Sequence, residues 1–177
     1  VPKCRYYVYN TPMKNKTKKA FVFDFDDTLA STTCRVIIRD SAEVACKSIT
    51  PAEFNSYKLQ SGESFDFSEF RDEIFIHAAN PTWLMGLAKE VAAEGHAVYI
   101  LTARHEVVAD SIFAWLMSHG IVAKDICCVG NSSGPISVNK REVLLGIVES
   151  YDMCYFYDDC QENVDIFQHE KLKSYLV

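Results

Sequence analysis

The chain has 177 residues, of which 49% are hydrophobic and 24% charged, and a formal net charge of −6. That length suits one domain, which buries roughly two-thirds of its unfolded surface, and no apolar stretch approaches the roughly 20 residues that span a bilayer. The seven cysteines include no CxxC pair, which argues against a zinc ribbon or a disulfide framework.

Several cysteines lie in apolar runs such as Ile126-Cys127-Cys128-Val129, where a thiol acts as a small hydrophobe. This usage points to a reducing compartment, the cytosol, and the first residues lack the apolar centre of a secretory signal. Residues 1–19 carry six basic side chains and no acid, so the remaining 158 residues carry a formal −12. A basic arm of this kind, with Tyr6, Tyr7 and Tyr9, could touch phosphates of a polyanion. The plainer use, a solvated lead into the first strand, outweighs it.

The first strand is expected over residues 20–25, a Val and Phe run of the kind a parallel sheet buries on both faces. Such a run cannot hold free carboxylates in its middle, so Asp24 and Asp26 belong at its exit. There, open α/β sheets bind their ligands. Residues 31–79 then break the pattern and read as a small mixed insert. Residues 34–39 have strand character, with a hairpin return through Asp40-Ser41 to Val44-Ala45-Cys46. Thr50-Pro51-Ala52-Glu53 reads as a helix start, with Thr50 as N-cap, Pro51 at the first helical position and Glu53 placed for a capping box. Phe65, Phe67 and Phe70 give an extended element an aromatic face, which is more often a small local core than a ligand surface.

Beyond residue 80 strands and helices alternate. A helix is expected from Asn80-Pro81, with Leu84, Leu87, Ala88, Val91 and Ala92 on one face and Gly95 as its stop. A strand over 97–101 leads into Thr102-Ala103-Arg104, and a helix carries Val108, Ile112, Trp115, Leu116 and Met117 to Gly120. Further strands are expected over 126–129 and 153–157, with a helix over 140–149 between them. Residues 172–177 can add an edge strand. This order predicts an α/β fold, a doubly wound parallel sheet with right-handed crossovers, carrying the insert after its first strand.

Polar groups recur at the strand exits: Asp24 and Asp26, Thr102, Lys140 at a helix start, and Asp158 with Asp159. Each has an ordinary use, since Thr caps helices, lysines solvate surfaces and acids favour helix starts. Their convergence at successive strand ends is harder to explain by capping alone. A carboxylate such as Asp24 can attack phosphorus, and Asp26 can handle the proton. Lys140 can offset the charge of phosphate and nucleophile, and Thr102 can donate to a nonbridging oxygen beside nearby backbone N–H groups. Phosphate among several carboxylates calls for a hard cation with oxygen ligands, and magnesium suits that role.

These segments resemble the four motifs of the haloacid dehalogenase superfamily: Asp24-Phe25-Asp26-Asp27-Thr28, Ile100-Leu101-Thr102, Lys140 within Val138-Asn139-Lys140-Arg141, and Tyr157-Asp158-Asp159. The resemblance runs from Phe21 to about Phe167 and implies a Rossmann-like core. It also implies that Asp24 is the nucleophile and Asp26 the acid and base. Magnesium would be held by Asp24, the Asp26 carbonyl and Asp158, with Asp159 as an outer or water-mediated ligand, the doublet leaving open which acid binds directly. An acid two residues after the nucleophile is similar to phosphatases and phosphotransferases of the family. Leu101-Thr102-Ala103-Arg104 is similar to the phosphatase part of bacteriophage polynucleotide kinase-phosphatases and related viral proteins. Thr28, Ala103 and Arg104 thereby become candidate substrate contacts, with a structural role at a helix start as the alternative for Arg104.

A modest cap leaves a site open to a bulky phosphorylated substrate, and the arm and Arg104 tilt that expectation toward a nucleotide or a nucleic-acid end. No GxxxxGK[ST] loop encodes a kinase partner. Phosphoproteins, small phosphorylated metabolites, transfer to an acceptor alcohol, and noncatalytic binding of a phosphorylated ligand stay open, as does the oligomeric state.

Overall fold

In a computed structural model of the protein, residues 5–6, 19–54 and 56–177 are described. Most of the expected basic arm lies outside the described residues. Five parallel strands form the core sheet: β1 (Lys19–Phe23) at its centre, then, from the insert onward, β5 (Ala97–Thr102), β6 (Asp125–Cys128), β7 (Met153–Asp158) and β8 (Leu172–Leu176). Their spatial order is β6-β5-β1-β7-β8, with the two residues Arg5–Tyr6 antiparallel at the β6 edge.

Register places Phe21 opposite Val98 on one side and Tyr155 on the other, so β1 is paired along both edges. Its alternation divides the core. Phe21 and Phe23 pack with α3 (Leu84–Ala93) and α4 (Ala109–Ser118), through Leu84, Ala88, Ile112 and Leu116. Ala20 and Val22 face α5 (Ile136–Glu149) through Val143, Leu144, Ile147 and Val148. Helices on both faces make the sheet doubly wound, as its apolar strands require.

Between β1 and β5 stands the insert. Its base is closed by the antiparallel pairs Ala30↔Pro81 and Ser31↔Asn80. Above it, β2 (Val36–Arg39) is the middle strand between β3 (Ala45–Ile49) and β4 (Ser64–Asp66). Val36, Ile38 and Ile49 form its small core with Phe54, Tyr57, Phe65 and Phe70. The short helices α1 (Pro51–Phe54) and α2 (Glu73–His77) complete it. The capping box at α1 is formed: Glu53 Oε2 accepts from the Thr50 N–H at 2.7 Å and Thr50 Oγ1 accepts from the Glu53 N–H at 3.2 Å.

Several local expectations are corrected. β1 ends at Phe23, because Phe25 opens a turn in which its carbonyl accepts from the Leu29 and Ala30 N–H groups while its ring packs edge-on against Trp115. Asn80–Pro81 belongs to the base of the insert, and the helix expected there begins at Leu84. The aromatic element is extended only over Ser64–Asp66 and turns into a 3-10 segment, Ser68–Arg71. Lys140 stands one turn inside α5, which starts after Pro135, and Met117 is exposed.

Candidate active site

Asp24 is the first residue after β1, and its N–H continues the ladder by donating to the Tyr157 carbonyl at 2.9 Å. Its carboxylate is buried and meets Lys140, whose Nζ donates to Asp24 Oδ1 and to Asp158 Oδ2, both at 2.7 Å. Two strand ends and one helix therefore meet at a single ammonium. Asp158 is fully buried. Its Oδ1 accepts from the Cys160 N–H and from Asn163 Nδ2, both at 2.9 Å, so every oxygen of this carboxylate is engaged and it orients Lys140.

Burial works against the Lys140 charge, but Asp24 and Asp158 outweigh it and hold the ammonium above the ordinary lysine range. Burial raises the Asp24 carboxyl well above the usual carboxylate value, against the pull of Lys140 and with the repulsion of Asp158 and Asp26. One ammonium between two buried carboxylates leaves an excess negative charge, an arrangement that needs further positive charge to be comfortable.

Asp26 makes a different pairing. Arg104 Nε donates to its Oδ2 and Nη2 to its Oδ1, both at 2.8 Å, and Thr32 Oγ1 adds a third bond to Oδ1 at 2.8 Å. The same guanidinium reaches the insert, donating to the Phe70 carbonyl at 3.0 Å and approaching Cys34 Sγ at 3.0 Å. Arg104 is 1% exposed and all of its nitrogens are occupied, so the structure shows it bracing Asp26 and the insert.

Thr102 ends β5, with Oγ1 accepting from the Arg104 N–H at 3.2 Å. The exposed Ala103 sits beside it, and the Thr102–Arg104 loop is pressed against Gly130. A Cβ at Gly130 would lie 2.1 Å from the Ala103 carbonyl oxygen, so only glycine permits this approach. Thr28 is placed elsewhere: it does not line the cavity, its hydroxyl is buried with no hydrogen-bond partner among the described residues, and its carbonyl accepts from Thr82 Oγ1.

These groups surround a cavity of about 460 Å³, lined on the sheet side by Asp24, Asp26, Asp27, Thr102, Ala103, Lys140 and Asp159. Its other wall comes from the insert: Val36, Pro51, Phe54, Phe67, Phe70 and Arg71. The insert's aromatics thus serve both its own core and the cavity. Asp159 lines the cavity whereas Asp158 does not, and burial, then Asp158, pushes its carboxyl up to about 6. Asp27, held at φ 55°, is also raised by burial and by Asp26.

Among the described residues no three His, Cys, Asp or Glu side chains converge as a ready cage for a metal. Magnesium needs no such cage, since it keeps several waters and takes one or two carboxylates together with substrate phosphate. Five carboxylates, those of Asp24, Asp26, Asp27, Asp159 and Glu162, line the cavity with Lys140, Arg104 and Arg71, and Lys140 and Arg104 are already paired with acids. Hard oxygen donors with uncompensated charge fit magnesium.

Sequence reasoning missed Gly130, Asn163, the Cys160 N–H, Thr32 and the insert residue Arg71. For Asn163 a signal existed, in an Asp followed five residues later by Asn at a helix start. The Cys160 N–H and Thr32 act within a few residues of Asp158 and Asp26 but carry no distinctive spacing, and Gly130 and Arg71 are brought to the site across long separations.

No protein-family model matches the chain, and no curated protein matches it. Its fold is similar to that of a chain in the Pnkp1/Rnl/Hen1 RNA repair complex, with a TM-score of 0.60 and 15% identity over 98% of this chain and 45% of that one. This chain therefore spans less than half the length of that relative. It is also similar to a haloacid dehalogenase superfamily hydrolase of subfamily IA from Geobacter sulfurreducens PCA (TM-score 0.49, 12% identity, 82% of each chain). A third likeness is to the haloacid dehalogenase domain of the effector protein Lem4 from Legionella pneumophila (TM-score 0.44, 15% identity, 92% of this chain and 88% of that one). Among the described residues no helix is long and apolar enough to cross a membrane.

Proposed function

We propose that this chain, an α/β core of the haloacid dehalogenase type, is a magnesium-dependent phosphate monoester hydrolase that works through an aspartyl-phosphate on Asp24. The observation that carries the reading is the Lys140 ammonium, 2.7 Å from both Asp24 and Asp158 and buried at the floor of the cavity. A buried lysine between two acids could be purely structural. Here one of the two acids faces a cavity that also presents a second acid from the same loop, a threonine and the exposed Ala103.

In the first displacement an Asp24 oxygen forms a bond to phosphorus while the bond to the leaving oxygen breaks, and Asp26 gives that oxygen its proton. In the second, water attacks phosphorus, Asp26 takes its proton, and the bond to Asp24 breaks to release phosphate. Lys140 offsets charge on the nucleophile and on the transferring group, and Thr102 with the Ala103 N–H can donate to nonbridging oxygens. Asp24, the Asp26 carbonyl and Asp159 would hold magnesium, with Asp158 behind them fixing Lys140. When bound, magnesium supplies positive charge for the phosphoryl oxygens. Asp26 is turned onto Arg104 and Thr32, so proton transfer requires one oxygen to leave that clamp.

A nucleotide or the end of a nucleic acid is the proposed substrate, supported by the aromatic wall of the cavity and by the fold's likeness to a chain of an RNA repair complex. The cytosol, as the compartment that keeps thiols reduced, belongs to the same proposal, and none of the six described cysteines is in a disulfide.

Screening the purified chain with magnesium against aryl phosphate, mononucleotides, 3′- and 5′-phosphorylated oligonucleotides, sugar phosphates and phosphopeptides tests it. Turnover with preference for the nucleotide series is expected. No turnover of any phosphomonoester removes the reading, and preference for sugar phosphates or phosphopeptides removes its substrate class.

A further inference from the structure

The cavity extends from the reacting carboxylates to the insert, and its far wall differs in character from its floor. Three Lys or Arg side chains line it: Lys140, Arg104 and Arg71. Lys140 is shared by Asp24 and Asp158, and Arg104 is bound to Asp26. The Arg71 guanidinium, at the end of the 3-10 segment Ser68–Arg71, is exposed and has no hydrogen bond or ion pair among the described residues. Of the acids beside it in sequence, Glu69 accepts from the Arg35 N–H at 2.7 Å and Asp72 from the Ile74 N–H at 2.9 Å, and Glu43, which lines a recess with Arg71, makes no ion pair with it among the described residues.

Phe67 stands beside Arg71 on the same wall. It is 38% exposed, a large apolar ring left open although Phe54, Phe65 and Phe70 pack around it. Phe67 and Arg71 also line a second recess of about 410 Å³, on the insert between β2 and β4. In that recess the other cation, Arg39, is already bound to Asp66 at 2.6 Å. An open aromatic face next to an uncompensated guanidinium, at the junction of two hollows, is the combination that stacks a planar ring and holds an anion attached to it.

We infer that Phe67 and Arg71 form a specificity subsite for the leaving group: a planar ring bearing a second anion, beyond the phosphate that reacts at Asp24. The inference rests on the proposed reading of Asp24 as the phosphate-receiving end. It selects doubly phosphorylated nucleosides, and nucleotides that continue into a phosphodiester, over singly phosphorylated ones. An arginine that only solvates the insert surface would not distinguish the two groups.

Binding tests this without reliance on turnover. Calorimetry with magnesium would compare Asp24→Asn with the double variant Asp24→Asn/Arg71→Gln, against a nucleoside 3′,5′-bisphosphate and the two corresponding monophosphates. The single variant is expected to bind the bisphosphate at least about tenfold more tightly, and the Arg71→Gln change to bring that preference to within about twofold, with Arg71→Lys keeping part of it. Equal binding of mono- and bisphosphates by Asp24→Asn, or a preference that survives Arg71→Gln, overturns the subsite. Failure of the wild-type chain to turn over aryl phosphate overturns the reaction instead, and the binding ratio still judges the subsite. Melting curves establish that each variant is folded, as the exposure of Arg71 leads one to expect.

Discussion

Arg104 and Asp26, separated by 78 positions in sequence, are joined by two parallel hydrogen bonds of 2.8 Å, and the same guanidinium is bonded to the Phe70 carbonyl of the insert. One side chain thus ties the proposed proton carrier to the wall of the cavity. The geometry is that of a planar fork, which an ammonium cannot reproduce. Arg104→Lys should keep the charge but lose the paired contact and leave Phe70 without its donor. The expected cost is about 1–3 kcal/mol of stability, with turnover reduced more than substrate binding. Chemical denaturation together with the separate effects on kcat and KM checks this, and an unchanged kcat would show that Arg104 only braces the insert.

Lys140 is the counterion of two buried acids. Lys140→Met should destabilise the fold by about 3–5 kcal/mol, because Asp24 and Asp158 are left buried without their cation. Adding Asp158→Asn should restore part of that loss while leaving turnover at background. Denaturant midpoints of the single and double variants provide the measurement.

Asp24→Asn should remove turnover of aryl phosphate while the far-ultraviolet circular dichroism stays unchanged, since the amide still accepts from Lys140. Turnover at the wild-type rate would exclude Asp24 as the nucleophile.

At Gly130 the constraint is steric. A methyl group there would meet three backbone atoms, 2.1 Å from the Ala103 oxygen and 2.9 Å from both the carbonyl carbon and the oxygen of Arg104, and none can rotate away. Gly130→Ala should cost about 1–3 kcal/mol by overpacking and should lower turnover by displacing Thr102 and Ala103. A wild-type melting temperature would contradict the close approach.

Asp159 makes the metal-free protein sensitive to pH. Its carboxyl is raised to about 6 in the fold, chiefly by burial, whereas in the unfolded chain it ionises near its ordinary value. Between those two values the unfolded state binds fewer protons than the folded one, so this group's contribution to stability falls as pH rises through the window. Asp159→Asn cannot ionise. In chelator, its melting temperature relative to wild type should therefore rise from pH 4 to pH 7, and magnesium should shrink the difference at pH 7 by stabilising the wild-type carboxylate. A pH-independent difference would count against this placement of Asp159.

Much of the core was legible in the chain because it depends on local periodicity. The alternating burial of β1 follows from a Val and Phe run that must be covered on both faces, and the capping box at Thr50 and Glu53 follows from a three-residue spacing. Asn80–Pro81 misled because a proline that starts helices also suits an edge pairing, and its partner, Ala30, lies fifty residues away. Thr28 misled because residues of the same loop divide between the cavity and the interior: Asp26 and Asp27 line the cavity, whereas the Thr28 hydroxyl is buried away from it.

The sequence by itself determined the chemistry on offer: carboxylates at the exit of a buried strand, a threonine, a lysine and an acid doublet at the ends of successive elements, since strand and helix patterning are local. Only the tertiary structure decided which groups face each other. It placed Asp159 in the cavity and Asp158 behind Lys140, turned Arg104 onto Asp26, and left Arg71 without a partner among the described residues. Those outcomes depend on pairing between distant segments, where desolvation and charge balance act on whatever the fold has brought within reach.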